Sequence, residues 1–464
     1  MPLMSPADSM FLIPESREQP MHVGSLQLFE LPDGADRSLI RDTYELMLTR
    51  TDVSSLFRRR PRRSLRTLGQ WAWEDDDDVD LEHHVRHSAL PEPGRVRELL
   101  ALTSRLHGTL LDRQRPLWEM HVIEGLEGDR FAIYTKLHHA VMDGVSGLRL
   151  LQRTLSPSPD DRTDRAPWEP RPRSTPAPAD TGSGGLLSLP AAAARGVADL
   201  VTLTPTALRL ADQAIREQAA TLPMQAPRSM LNVPITGARR FAAQSWPLDQ
   251  IRSVGKAGGA SVNDVVLAMC ASALRAYLLE MDALPDAPLV AMTPVSLRPS
   301  DAGDDSGDGA AGNAVGTILC SLATDVADPG DRLAAIHESM RQAKAVFSGL
   351  NQVQASAVSA VMMAPLLLSM LPGGLGRLAP PAYNLVISNV PGPSQPLYWN
   401  GARLCGVYPL SIPFTGQALN ITVTSYAGSM EFGLIGCRRS VPHLQRLLTH
   451  LDDALADLVK VTGA

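Results

Sequence analysis

The chain has 464 residues, too long for one ordinary core and suited to two domains. Its content of 44% hydrophobic and 20% charged residues is that of a soluble globular protein, and a net charge of -6 excludes a general nucleic-acid binder. Cys270, Cys320, Cys405 and Cys437 are scattered without a CxxC pair, which fits reduced cytosolic thiols rather than a disulfide framework or a zinc site. The N-terminal residues lack a basic stretch followed by an apolar core, so no signal peptide is expected.

In chain order, residues 1–30 read as a short helix and then a strand over 22–29, with Asp8 and His22 as polar residues of structural type. A helix follows over 37–50. Residues 58–66, RRRPRRSLR, are strongly basic and read either as a solvated surface loop or as a contact for anionic lipid or CoA phosphates. Residues 75–78 form an acidic run, read as a solvated turn. LEHHVRH brings His83, His84 and His87 together, but no Cys or HExxH pattern accompanies them. His84 is therefore read as structural, and no metal is expected. An amphipathic helix covers 97–107, and residues 120–137 form a β-hairpin.

The hairpin ends in FAIYTKLHHAVMDGVSG, residues 131–147. Phe131, Ile133, Thr135 and Leu137 alternate with Ala132, Tyr134, Lys136 and His138, the period of a strand. Asp143-Gly144 is turn chemistry. Leu148, Leu151 and Leu155 then recur at helical spacing. On an extended chain His138 and His139 point to opposite faces, so one can face a cleft while the other packs behind it. A neutral imidazole suits proton removal near pH 7. HHxxxDG thus combines a base, a carboxylate and a turn glycine at fixed spacing.

Residues 156–185 turn rich in Pro, Ser, Asp, Arg and Gly and read as a crossover linker. Helical composition follows over 186–220. A helix over 261–279 has Ser261 as N-cap and Asn263-Asp264 in its first turn, where Asp264 suits the helix dipole. Strands are read over 289–295, 313–323, 384–390, 421–426 and 431–436, and helices over 329–347 and 441–459. Residues 301–312 read as a Gly/Asp-rich loop. Residues 355–371 carry no charge and approach membrane-span length, but Pro365 interrupts them. They read as a core or interfacial helix able to rest on a bilayer.

HHAVMDG resembles the active-site motif of the CoA-dependent acyltransferase superfamily. SPADSMFL (5–12), PMHVG (20–24), LDRQRPLWE (111–119), SVNDVVLA (261–268) and NLVISNVPGP (384–393) narrow the resemblance to the bacterial wax ester synthase/acyl-CoA:diacylglycerol acyltransferase family. The segments occur in the family's order over nearly the whole chain. The resemblance implies an α/β (α+β) fold of two chloramphenicol-acetyltransferase-like domains, each a mixed sheet flanked by helices, with a tunnel at their interface. The expected division is 1–155, a linker over 156–185, and 186–464.

The same resemblance implies transfer of a fatty acyl group from CoA to diacylglycerol or a long-chain alcohol. His139 would be the general base and His138 its structural companion. Asp143 would shape the loop, with Arg298 as salt-bridge partner, and Gly144 would allow a tight turn. Asn263 is the candidate oxyanion donor, or else only a cap for its helix. Pro116, Leu117 and Trp118 would shape the acyl path, and Ser388 and Asn389 would line the domain interface. A chain of about sixteen carbons gains on the order of 10 kcal/mol from burial, which calls for a long apolar tunnel.

No cofactor is expected beyond acyl-CoA as co-substrate. The expected location is cytoplasmic and peripheral, on a membrane or lipid droplet. Rival readings are an acyltransferase of this fold with a polyketide or peptide acceptor, and a non-catalytic lipid-binding or droplet protein. A serine hydrolase is disfavoured, because GVSGL lacks the second glycine of GxSxG.

Overall fold

The computed structural model describes residues 2–142, 144–152, 154–162, 165–170, 225–296, 315–347 and 380–464. In chain order the strands are β1 (His22–Glu30), β2 (Arg59–Arg63), β3 (Trp71–Asp75), β4 (Val85–Ala89), β5 (Trp118–Leu126), β6 (Arg130–His138) and β7 (Arg239–Pro247). Then come β8 (Val290–Ser296), β9 (Val315–Ser321), β10 (Leu385–Val390), β11 (Tyr398–Trp399), β12 (Ala402–Leu410), β13 (Leu419–Tyr426) and β14 (Ser429–Cys437). They form two six-stranded sheets, ordered β11-β12-β1-β6-β5-β4 and β7-β14-β13-β10-β8-β9, and β2 pairs with β3 in a separate hairpin. Both large sheets are mixed: β4 runs parallel to β5, and β10 runs parallel to β13 and β8, while the other pairs are antiparallel.

The first sheet is completed from the far end of the chain. β12 pairs along β1, from Gly24 opposite Leu410 to Glu30 opposite Arg403. No single chain boundary therefore separates the two sheets. ARLCGVYPL carries Gly406 and Pro409, which hide its strand character; Pro409 is tolerated where it faces Ser25. The close crossing of the sheets also fixes a glycine. A Cβ on Gly433 of β14 would lie 1.9 Å from the Pro409 carbonyl oxygen of β12. Beside it, Glu431 accepts a hydrogen bond from the Ser245 hydroxyl, and Ser245 also meets Tyr408 at 3.0 Å, tying β7, β12 and β14 together.

Alternation on β6 sorts its side chains by face. Phe131, Ile133 and Leu137 join Phe29, Met120 and Val122 in the core of the first half. Ala132 and Tyr134 instead join Leu26, Ile123, Phe241 and Ile435, a cluster shared by both sheets. The core of the second half is built around the helix Val262–Glu280, which is buried on several faces between its sheet and neighbouring helices. By length and composition that helix could cross a membrane; its burial explains its apolar character instead. Ser261 caps it by accepting the Asp264 N–H at 3.2 Å, and Asp264 returns a bond to the Ser261 N–H at 2.9 Å. The cap is thus Ser261, and Asn263 plays no part in it.

Three readings need correction. Residues 59–63 are not a loop but β2. The basic run and the acidic run neutralise each other across the hairpin: Arg60 meets Glu74 at 3.0 Å and Asp76 at 3.5 Å, and Arg58 pairs with Asp77. The start of the linker is pinned rather than loose. Ser156 bridges to Tyr398, and fully buried Trp168 stacks on Trp118 with ring centroids 5.4 Å apart. The last helix begins at Arg446, after a turn. Readings for 186–220, 301–312 and 355–371, and for Asp143 and Arg298, lie outside the described residues.

Candidate active site

The two histidines at the end of β6 part company. His138 is fully buried. Its Nδ1 accepts the Ala140 N–H at 3.1 Å, so the ring proton sits on Nε2, which faces Glu15 Oε1 at 3.2 Å. Glu15 is itself 2% exposed at its side chain and binds Arg113 at 2.8 Å and the Met21 N–H at 3.1 Å. Burial alone would raise the Glu15 carboxyl. The His138 bond and charge, the Met21 N–H and Arg113 outweigh it and hold the carboxyl below its ordinary value. Nothing in the sequence pattern singled out Glu15, which lies 123 positions before His138 (138 − 15).

His139 turns the other way and is only half-buried. Its ring stacks on Phe11 with centroids 4.0 Å apart and an interplanar angle of 17°, and its backbone N–H donates to the Met21 carbonyl at 2.9 Å. Phe11 packs into two clusters at once. One holds Leu12, Leu117 and Ala140 of the first half. The other joins Met21 and Val23 to Val290, Val386 and Phe414 of the second. The half-exposed imidazole therefore stands at an apolar junction between the two sheets.

Each motif segment supplies a part of this arrangement. Ser5 caps the short helix Pro6–Leu12 that carries Phe11. In PMHVG, Met21 holds the His139 backbone, and His22 Nε2 donates to the His107 carbonyl at 2.9 Å. Gly24 is required by the sheet: a Cβ there would lie 2.9 Å from the Thr135 carbonyl oxygen. In LDRQRPLWE, Arg113 holds Glu15, and the Leu117 carbonyl accepts the His138 N–H at 3.0 Å. Leu117 and Trp118 are buried, and the Trp118 indole N–H donates to the Phe57 carbonyl at 2.9 Å. Trp118 also stacks on His84, whose Nδ1 donates to the Trp118 carbonyl at 2.8 Å. Burial lowers the His84 pKa to about 4, so this ring is neutral and structural. Pro116, too, is buried beside Leu117.

A second buried group stands on the same face as His138. Lys136 Nζ donates to the Leu106 and Thr109 carbonyls at 3.2 and 3.0 Å and pairs with Glu119 at 3.1 Å. It thereby closes the C-terminal end of the helix Val96–His107. Burial opposes the Glu119 charge, but His121, Lys136 and Arg86 prevail and bring its carboxyl down to about 2.

On the second sheet, Asn389 Nδ2 donates to Asn263 Oδ1 at 3.3 Å, so the strand β10 and the helix start are held together through these two candidates. Ser388, like Asn389, is half-buried. Asn384, which opens the motif, is fully buried and binds the Pro227 carbonyl, Asn232 and the Val290 N–H at 2.7, 2.7 and 2.8 Å. At its other end, a Cβ on Gly392 would lie 2.1 Å from the Ser425 carbonyl oxygen.

Gly144 follows the histidine turn. It does not take a left-handed conformation, and it begins the helix Gly144–Gln152. Among the described residues, a Cβ there meets nothing within 4 Å, so the glycine leaves space open. Gly144→Val is expected to leave the unfolding midpoint within a degree or two, since helix propensity gains only ~0.5 kcal/mol. If substrate uses that space, acyl-transfer rate falls by roughly tenfold or more. An unchanged rate would show the space is not used. Among the described residues, no group of three His, Cys, Asp or Glu side chains is arranged to hold a metal ion.

Residues 4–266 match the family model described as the wax ester synthase/diacylglycerol acyltransferase catalytic domain, and residues 311–459 match the WS/DGAT C-terminal domain. A Mycobacterium tuberculosis protein named "Probable diacyglycerol O-acyltransferase" is 55% identical over 465 aligned residues, covering 100% of both chains. The solved wax ester synthase/diacylglycerol acyltransferase from Marinobacter aquaeolei VT8 is 43% identical, covers 100% of both chains and superposes with a TM-score of 0.77. The first condensation domain of the CDA synthetase has the same fold, with a TM-score of 0.57 at 16% identity, covering 99% of this chain and 95% of that one.

Proposed function

Because this chain belongs to the wax ester synthase/diacylglycerol acyltransferase family, we propose that it moves a long-chain fatty acyl group from acyl-CoA to diacylglycerol or a long-chain alcohol, with His139 as general base. The observation that carries the base assignment is the half-exposed imidazole stacked on Phe11 at the apolar junction of the two sheets. A thioester with a fatty tail needs an apolar path, and a base must be open to it. His138, buried against Glu15, has no such opening.

The acceptor hydroxyl is held beside His139, which takes its proton as the oxygen attacks the thioester carbonyl carbon. The carbonyl oxygen becomes the oxyanion. Asn263 is the donor best placed in sequence and chemistry: its carbonyl is used by Asn389, which leaves its amide NH₂ as the donating half. Collapse of the intermediate breaks the C–S bond. The thiolate, with an ordinary pKa of about 8.5, is a good leaving group and recovers the proton from the His139 imidazolium. The products are an ester and free CoA. No cofactor enters this sequence, and chelators are expected to leave it unchanged. The acyl tail lies between the sheets, and the enzyme works peripherally at a membrane or lipid droplet where its acceptor resides.

The direct test is thiol release from palmitoyl-CoA with a panel of acceptors: diacylglycerol, hexadecanol, a short soluble alcohol and an amine. Release that depends on a lipid alcohol supports the reading. Release only with the amine, or none with any acceptor, overturns it.

Glu15 is expected to position the histidine turn from behind. Glu15→Gln keeps the acceptor for the Met21 N–H but removes the charge facing His138 and Arg113. The expected result is roughly a tenfold fall in kcat with KM within about twofold. An unchanged kcat would reduce Glu15 to a packing role.

A further inference from the structure

We propose that the tip of the β2–β3 hairpin docks on a lipid surface, with Leu65 and Leu68 entering the acyl region and Arg63 and Arg66 meeting anionic phosphates. The inference rests on the reading that the acceptor is a membrane-borne alcohol. It assigns the contact to a particular surface.

Leu65 is 95% exposed and Leu68 92%, far beyond the other large apolar side chains at the described surface, of which Ile13 at 68% is next. A stray exposed leucine is ordinary; two on one seven-residue tip, residues 64–70, are not. Leu68 also holds φ +50°, a left-handed conformation that glycine or asparagine adopts at lower cost. The sequence thus places a leucine in a position unfavourable for it both in backbone and in solvation. The tip is nevertheless well built. The Thr67 hydroxyl accepts the Ser64 N–H at 3.1 Å and lies 3.0 and 2.8 Å from the Ser64 and Gln70 carbonyls it can donate to, closing the short turn Leu65–Thr67.

Charge selects the occupant. From Arg59 to Trp73 the chain holds five arginines and no acidic residue. The acids that pair with Arg58, Arg60 and Arg62 stand at the opposite end of the hairpin, in residues 74–77, and Arg62 reaches Glu74 at 3.7 Å. Arg63 and Arg66, next to the leucines, are both exposed. Arg63 lies over the Trp71 ring at 4.2 Å, which fixes its direction near the tip. Apolar side chains ringed by arginines match a bilayer, with phosphates outside and acyl chains within. The hairpin is also coupled to the reaction site. Trp73 and Trp71 pack in the cluster that holds Leu117, Ala140 and Val141 around the histidine turn. Docking the tip would therefore bring the His139 region up to the lipid from which an acceptor is drawn.

The test uses the full-length protein and co-sedimentation with vesicles of phosphatidylcholine, with or without phosphatidylglycerol. Leu65→Asp with Leu68→Asp is expected to weaken binding to both kinds of vesicle by at least about tenfold. Arg63→Gln with Arg66→Gln is expected to weaken binding about tenfold on the anionic vesicles only, and added salt should mimic it. Neither pair should alter thiol release from dispersed acyl-CoA with detergent-solubilised diacylglycerol, or the unfolding midpoint. Vesicle binding by the leucine pair equal to wild type overturns the proposal. So does loss of self-association or of an acidic protein partner in that pair with vesicle binding intact. If vesicles bind as expected but no lipid alcohol is acylated, the reaction assignment fails and the docking surface stands.

Discussion

His139→Ala is expected to lower acceptor-dependent thiol release by roughly 10²–10⁴-fold while the protein folds and melts almost as wild type. The two halves of that expectation come from separate observations. The ring is half-exposed, and the backbone N–H that binds the Met21 carbonyl survives the substitution. The substitution removes the stack on Phe11, about 1 kcal/mol. His138→Ala should show the opposite balance. That ring is fully buried, accepts the Ala140 N–H and faces Glu15. Its removal orphans the Ala140 N–H, takes one partner from Glu15 and leaves a buried void, and should cost about 2–3 kcal/mol, read as a lower urea midpoint. A His139→Ala enzyme with full activity would move the base elsewhere. Equal destabilisation by both substitutions would contradict the division of roles.

Lys136→Met is expected to destabilise the protein by about 3–5 kcal/mol at pH 7, the largest stability effect of any single change considered. The methionine fills similar volume, so the loss is electrostatic. Glu119 is left buried with a charge opposed by burial, and the Leu106 and Thr109 carbonyls lose their donor. The dependence on pH has a definite sign. In the wild type Glu119 is held down to about 2 against an ordinary 4.5. Its contribution is therefore complete above 4.5 and lost as pH falls towards 2. Without Lys136 the carboxyl rises, so the deficit of the variant should shrink on acidification as Glu119 protonates. The double variant Lys136→Met, Glu119→Gln should recover part of the loss at pH 7. Urea midpoints at pH 7 and at about pH 4, inside that window, decide the matter. A deficit that grows at the lower pH would refute the account.

Local pattern made much of the scaffold legible. β6 was readable because its aromatic and β-branched residues alternate, and the helix Pro329–Phe347 because Pro329 can open it. Ser261 and Asp264 were readable as a helix start because capping depends on residues three apart. What failed were elements whose reason lies far along the chain. β12 was missed, since Gly406 and Pro409 look like turn residues until β1 and β14 are placed against them. The arginine run read as a loop, because its acidic partners lie across a hairpin. The packing of Trp118 between His84, Phe57 and Trp168 was not legible either, because those partners lie 34 to 61 positions away.

By itself the sequence determined the strand that carries the histidine pair and the opposition of its two adjacent rings, because a strand's period of two is a local property. Only the tertiary structure decided which histidine is sealed and which stays open. That choice depends on Glu15 and Arg113 closing over one ring and Phe11 lying flat on the other, and these residues are separated from the motif by up to 128 positions (139 − 11). Contacts of that range are set by how sheets and helices pack, through shared burial and paired charge, and leave no trace in local spacing.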